Sequence, residues 1–224
     1  MPRFAWCLFA LLGIACESPE DLRQAATVAR AEGKTEVATR LLTRAIVRQP
    51  VIGRDERVAG AALRRELGAL RLSVDDPVGG ERLYREALNL LETEPRGAAT
   101  AIINLRTQLA GLCYRQARQE EAAELYRTVL NLEIASLGAD HPDTLGTMSV
   151  LGGLELKRGR WAVAETLFRD QLAGIRRLHG AEKREVASVR DNLADVLERA
   201  GRGAEAAQER AEAARIRKLL CDEC

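Results

Sequence analysis

Two histidines and five cysteines are the residues of this 224-residue sequence best suited to chemistry. His141 stands in "ADHPD", beside Asp140 and ahead of Pro142. An imidazole next to a carboxylate suggests a general base or a metal ligand. A simpler role is available: Asp140 or His141 caps a helix that Pro142 begins. His179 stands in "RRLHGAE", ahead of Gly180. A histidine there suits the negative end of a helix dipole. No HExxH, GxSxG, Walker loop or GxGxxG occurs, and "GRG" at 201–203 reads as a turn. No catalytic residue, metal ligand set or cofactor is assigned.

The tail "CDEC" at 221–224 is a C-x-x-C and raises thiol–disulfide exchange. Reactive pairs sit at helix amino termini, where the dipole lowers the thiol pKa. Cys221 and Cys224 instead follow a helical pattern and enclose Asp222 and Glu223, and both influences disfavour thiolate. A metal site needs more than two ligands. The other reading is a structural disulfide between Cys221 and Cys224 in an oxidising compartment. Cys113 falls on a core-facing helical position and is expected to be buried and inert.

The elements that carry these residues follow a period. "LYREALNL" at 83–90 returns as "LYRTVLNL" at 125–132, an offset of 42. Small residues recur in the same register at Ala38, Gly80, Ala122, Ala164 and Ala206. Four residues later stand Leu42, Tyr84, Tyr126, Phe168 and Arg210; twelve earlier stand Ala26, Gly68, Ala110, Gly152 and Ala194. Turn positions recur at Gly33, Asp75, Ala117, Gly159 and Gly201. Small residues in mid-helix let antiparallel helices approach, and an aromatic four positions on is expected to fill the space between units. The pattern is one helix–turn–helix written five times, and such units bury their apolar faces by stacking. Hydrophobic residues make up 46% of the chain but aromatics only 4%, which fits helices packed through small aliphatic side chains and disfavours a β-sandwich. Helices are expected near 19–31, 34–48, 55–73, 77–92, 98–116, 119–136, 143–158, 161–178, 183–200 and 203–220.

The stretches "LAGLCYRQARQEEAAELYRTVLNLEIASLGADHPDT" and "NLADVLERAGRGAEAA" resemble tetratricopeptide repeats of the longer, kinesin-light-chain type. The resemblance covers 19–220, with repeats near 19–54, 55–97, 98–142, 143–182 and 183–220, and a tail at 221–224. It departs at Cys113 and Glu155, where Tyr is usual, and at Gln171, where Ala is usual. It implies an all-α, right-handed α-solenoid of about five repeats and a non-enzymatic scaffold. Its concave groove, lined by the first helix of each repeat, would hold a peptide or protein segment. The family's concave positions fall on Arg23, Thr27 and Arg30; on Arg65, Ala69 and Leu72; on Asn104, Gly111, Tyr114 and Arg115; and on Gly153, Leu156 and Lys157. Leu72, Tyr114 and Leu156 would form an apolar floor. The cations would make the groove basic, and Asp191, Asp195 and Glu198 would make one end acidic. An extended segment with acidic and apolar side chains is the expected ligand.

The amino terminus is a separate text. "MPRFAWCLFALLGIAC" has one charge, Arg3, then an apolar run too short to span a bilayer, which needs about 20 residues. It fits a secretory signal at 1–15. "LGIAC" resembles the lipobox of bacterial lipoproteins, which implies cleavage before Cys16, acylation of that cysteine and an anchor segment at 16–18. Glu17 is not the Asp that resembles an inner-membrane retention signal in enteric bacteria, so the expected place is the periplasmic face of the outer membrane. Removing 1–15 removes one base and no acid, leaving 33 basic and 33 acidic residues. That balance carries no nucleic-acid footprint, and no small-molecule substrate is indicated. Three other functions stay open: an assembly factor for outer-membrane proteins or pili, a cytosolic adaptor whose signal is misread, and the oxidoreductase considered above.

Overall fold

The computed structural model describes residues 17–93, 98–180 and 183–222, and among these it forms ten α-helices. They are α1 Pro19–Ala31, α2 Thr35–Arg48, α3 Arg54–Ser73, α4 Pro77–Glu92, α5 Ala99–Arg115, α6 Gln119–Leu137, α7 Pro142–Lys157, α8 Trp161–His179, α9 Arg184–Arg199 and α10 Gly203–Asp222. Each lies within two residues of the bounds that the periodicity predicts. Local chemistry explains the agreement. The Ser18 hydroxyl accepts from the Asp21 amide at 3.1 Å while the Asp21 carboxylate accepts from the Ser18 amide at 3.0 Å, a reciprocal cap on α1. Asp76 caps α4 by accepting from the Gly79 amide at 2.8 Å. The five turns inside the repeats each hold one residue at positive φ: Gly33, Asp75, Ala117, Gly159 and Gly201, from 60° to 77°. Glycine meets that need freely; Asp75 and Ala117 meet it at a steric cost.

The chain divides into two compact units, one ending at Leu105 and the other starting at Arg106, within α5. In the first unit α1 pairs with α2, α2 with α3, and α3 with α4. Its core joins Leu22, Ala26 and Ala29 to Ala38, Leu42 and Ala45, and these to Leu63, Leu67, Leu70 and Leu83. In the second unit α6 to α10 pack in the same successive fashion around Ala122, Leu151, Ala164, Phe168, Leu193, Ala206 and Ile216.

The aromatics of the second and fourth repeats, Tyr84 and Phe168, correct one expectation. A methyl group on Gly68 would come within 2.7 Å of the Tyr84 ring, and one on Gly152 within 2.9 Å of the Phe168 ring. Each of these two rings therefore lies inside its own hairpin, against the glycine of the first helix. In these two repeats the glycine twelve positions before the marker makes room for the aromatic four positions after it.

Candidate functional site

In the first unit, α3, α4 and α5 frame a cleft of about 350 Å³. Val58, Ala61, Ala62 and Arg65 line it from one turn-repeated face of α3, Leu91 from α4, and Thr100, Ala101, Asn104 and Leu105 from α5. Two residues expected in a groove, Arg65 and Asn104, thus meet at one cavity. Arg65 is half-buried and makes no ion pair or hydrogen bond among the described residues. Three alanines keep the walls low, and Val58, Leu91 and Leu105 supply apolar surface. A half-buried guanidinium with no acid of its own favours an anionic group of a ligand more than a fully solvated one does.

The other expected groove residues of this unit differ in state. Arg23 does not present a free charge. Its Nε and Nη2 both donate to Glu66 Oε1, at 2.9 and 2.6 Å, and this carboxylate raises the guanidinium pKa. Arg30 and Thr27 are exposed and border a shallow notch with Glu66. Leu72 is not a groove floor: a methyl on Gly80 would lie 2.7 Å from its branch carbons, so it rests on α4 across the turn.

In the second unit, Tyr114 and Lys157 come together. The Lys157 ammonium lies 5.0 Å from the centre of the Tyr114 ring and donates to its hydroxyl. Both are exposed, as is Arg115, which makes no ion pair among the described residues. Leu156 is half-buried against the core. Gly153 has no side-chain neighbour within 4 Å of where a methyl would stand, and beside Gly111 only Arg115 and Tyr126 come that close. The acidic end is neutralised. Arg210, in the position that holds an aromatic in the three preceding repeats, donates to Asp195 at 2.9 Å and to Glu198. Arg217 donates to Asp191.

Sequence reasoning missed one cluster. Glu155 is fully buried and accepts from Arg127 at 2.5 Å and Arg158 at 3.0 Å. The register held the signal, because Cys113 and Leu197, 42 residues to either side, are buried as well. The network joins α6 to α7 and serves packing. His141 caps α7, its Nδ1 accepting from the Asp143 amide at 3.2 Å, while Asp140 pairs with Arg177. Cys113 is buried. Cys221 is exposed in the last turn of α10, at the carboxyl end of the helix. Cys16 and Cys224 lie outside the described residues, so the lipidation site and the disulfide are not described. No group of three His, Cys, Asp or Glu suited to a metal ion occurs among the described residues. No helix among them is long and apolar enough to cross a membrane.

A family model for the tetratricopeptide repeat matches residues 102–170 and 143–218. No curated protein matches the chain. Solved structures do. A putative kinesin light chain from Podosopora anserina with nearly identical TPR-like repeats superposes with a TM-score of 0.70 at 18% identity, covering 91% of this chain and 98% of that one. BtubC (BKLC) from P. vanneervenii gives 0.67 at 19% identity, covering 90% and 80%. MamA from Desulfovibrio magneticus RS-1, from residue 41 to its end, gives 0.59 at 12%, covering 92% and 98%. At such identities the likeness is one of fold.

Proposed function

Since this chain belongs to the tetratricopeptide-repeat family, whose fold is a scaffold for protein–protein interaction, we propose that it is a non-enzymatic, lipid-anchored scaffold in a bacterial envelope. Its ligand is an extended segment of a partner protein. The observation that carries the binding half of this reading is the cleft with Arg65 unpaired in its wall. Low alanine walls admit a partner's backbone, the apolar residues take aliphatic side chains, and Arg65 with Asn104 takes a carboxylate. The anchor half is supported by the uncharged run ending in Ala15-Cys16. The partner is sought by pull-down from envelope extracts with the mature chain, beside Arg65→Glu and the double variant Arg65→Glu with Arg115→Glu. Bound segments should be acidic and apolar, be lost with Arg65→Glu at unchanged helicity, and weaken as salt screens charge beyond about 10 Å. Equal recovery by both variants would move the binding surface away from the cleft. For the anchor, a labelled fatty acid should mark the wild type and not Cys16→Ser.

A further inference from the structure

The first described residue is clamped to the folded body. Arg44 Nη2 on α2 donates to the Glu17 carboxylate at 2.5 Å, and Arg48 Nη1 donates to the Glu17 main-chain carbonyl at 3.0 Å. Ser18 is the cap of α1, and Pro19 is already helical. Cys16 is bonded directly to Glu17, and neighbouring Cα atoms stand about 3.8 Å apart. If Cys16 carries acyl chains, nothing separates lipid from fold. The headgroup layer of one leaflet is only about 5–8 Å deep. Arg44 and Arg48 would then lie at headgroup level.

The surface around Glu17 has the chemistry for that place. The carboxyl end of α2 and the amino end of α3 share this rim of the first unit. Val47 is 81% exposed and Ile52 88%, and Val51 is exposed beside them. Arg44, Arg48, Arg54 and Arg57 stand among these side chains, with Glu17 and the first-turn acids of α3, Asp55 and Glu56, beside them. Arg57 Nη1 donates to the Ile52 carbonyl at 2.9 Å and so supports the apolar tip. Arg40 continues the α2 row one turn further in and makes no ion pair among the described residues. The opposite rim lies at the far end of the 20-residue α3, about 30 Å away. Val74 and Val78 are exposed there too, but Asp75 and Asp76 lie between them. Of these two rims, the Glu17 rim is the one that pairs apolar tips with a cationic row among the described residues, the combination that interfacial binding to anionic lipid uses.

We propose that the Glu17 rim of the first unit is a bilayer-docking surface, with Val47 and Ile52 seated among lipid chains and Arg40 and Arg54, which pair with no acid among the described residues, on lipid phosphates. The proposal rests on the lipid-anchor reading and adds that the fold is held against the membrane with no tether. The test places single tryptophans by Val47→Trp, Ile52→Trp or Val78→Trp in a mature, acylated Trp161→Phe chain. All three substituted sites in this unit are exposed, and helicity is checked for each. The protein is reconstituted into phosphatidylglycerol-containing vesicles whose acyl chains are brominated. Fluorescence should be quenched at positions 47 and 52 and spared at 78. A chain that carries acyl groups by mass and floats with vesicles, yet is unquenched at 47 and 52, overturns the docking surface and leaves the anchor standing. A chain without acyl groups overturns both. If instead the 47 and 52 signals shift only on self-association in detergent, the rim belongs to a second copy and the proposal falls.

Discussion

Glu133 shows what a single misfit residue does to this design. It is buried at 4% exposure, and its Oε2 has no hydrogen-bond partner among the described residues. Burial pushes its pKa above the usual carboxylate range, and the Thr147 hydroxyl bond offsets this only in part. The sign follows. Between the ordinary carboxylate pKa and the raised one, the folded state holds more protons than the unfolded state, so this group's contribution falls as pH rises. Glu133→Gln should therefore raise the urea midpoint at neutral pH, and the gain should shrink as pH falls into the ordinary carboxylate range. A gain that stays constant across pH would assign the effect to shape instead of charge. The burial of Glu133 was legible, since Leu91 and Ile175 fill the same register position and are buried. Its missing partner was not legible, because no spacing within one chain reports which donor a neighbouring helix brings.

At the scale of elements, adjacent glycines in α7 separate packing from propensity. An interior helical glycine costs about 1 kcal/mol relative to alanine. Gly153 faces open space, so Gly153→Ala should stabilise by about 0.5–1 kcal/mol. Gly152 carries the Phe168 ring, so Gly152→Ala drives a methyl into a buried aromatic and should destabilise by about 1–3 kcal/mol. Denaturant unfolding of the two variants decides; equal effects would mean that the ring moves aside freely. Helix limits were readable because Ser18-Pro19, Asp76-Pro77 and His141-Pro142 write stops and starts into the chain. The location of Tyr84 and Phe168 inside their hairpins was not. A period states that a glycine and an aromatic recur together, not that they touch. For the same reason Arg23 read as a free cation: Glu66, its partner, is 43 residues away and comes alongside only through stacking.

The whole molecule is held in a balance of charge. The sequence has 34 bases and 33 acids, and the structure shows which of the described ones are paired. The pKa values of Glu120, Asp140, Glu205 and Glu212 are lowered, each first by an arginine hydrogen bond, and that of Asp21 by its cap with Ser18. Stability from lowered carboxylates is present above their unfolded pKa and lost as pH falls through the folded one. The thermal midpoint should therefore drop steeply below about pH 4, and less steeply at high salt. An acid-insensitive midpoint would show that these surface pairs contribute nothing, as isolated exposed pairs often do. Composition revealed the balance but not the pairing, and so the expected acidic patch of Asp191, Asp195 and Glu198 proved to be covered by Arg210 and Arg217.

The cap on Ser18 bears on how long such a protein would stay in place. Proteolytic nicking concentrates at exposed termini that are not tied down. Here Glu17 is bonded to α2, Ser18 is locked by Asp21, and helix begins at Pro19. On the anchored reading, no stretch between lipid and fold remains for a protease to bind. The molecule would resist shedding, and its turnover would wait on unfolding of α1 or on loss of the acyl chains themselves.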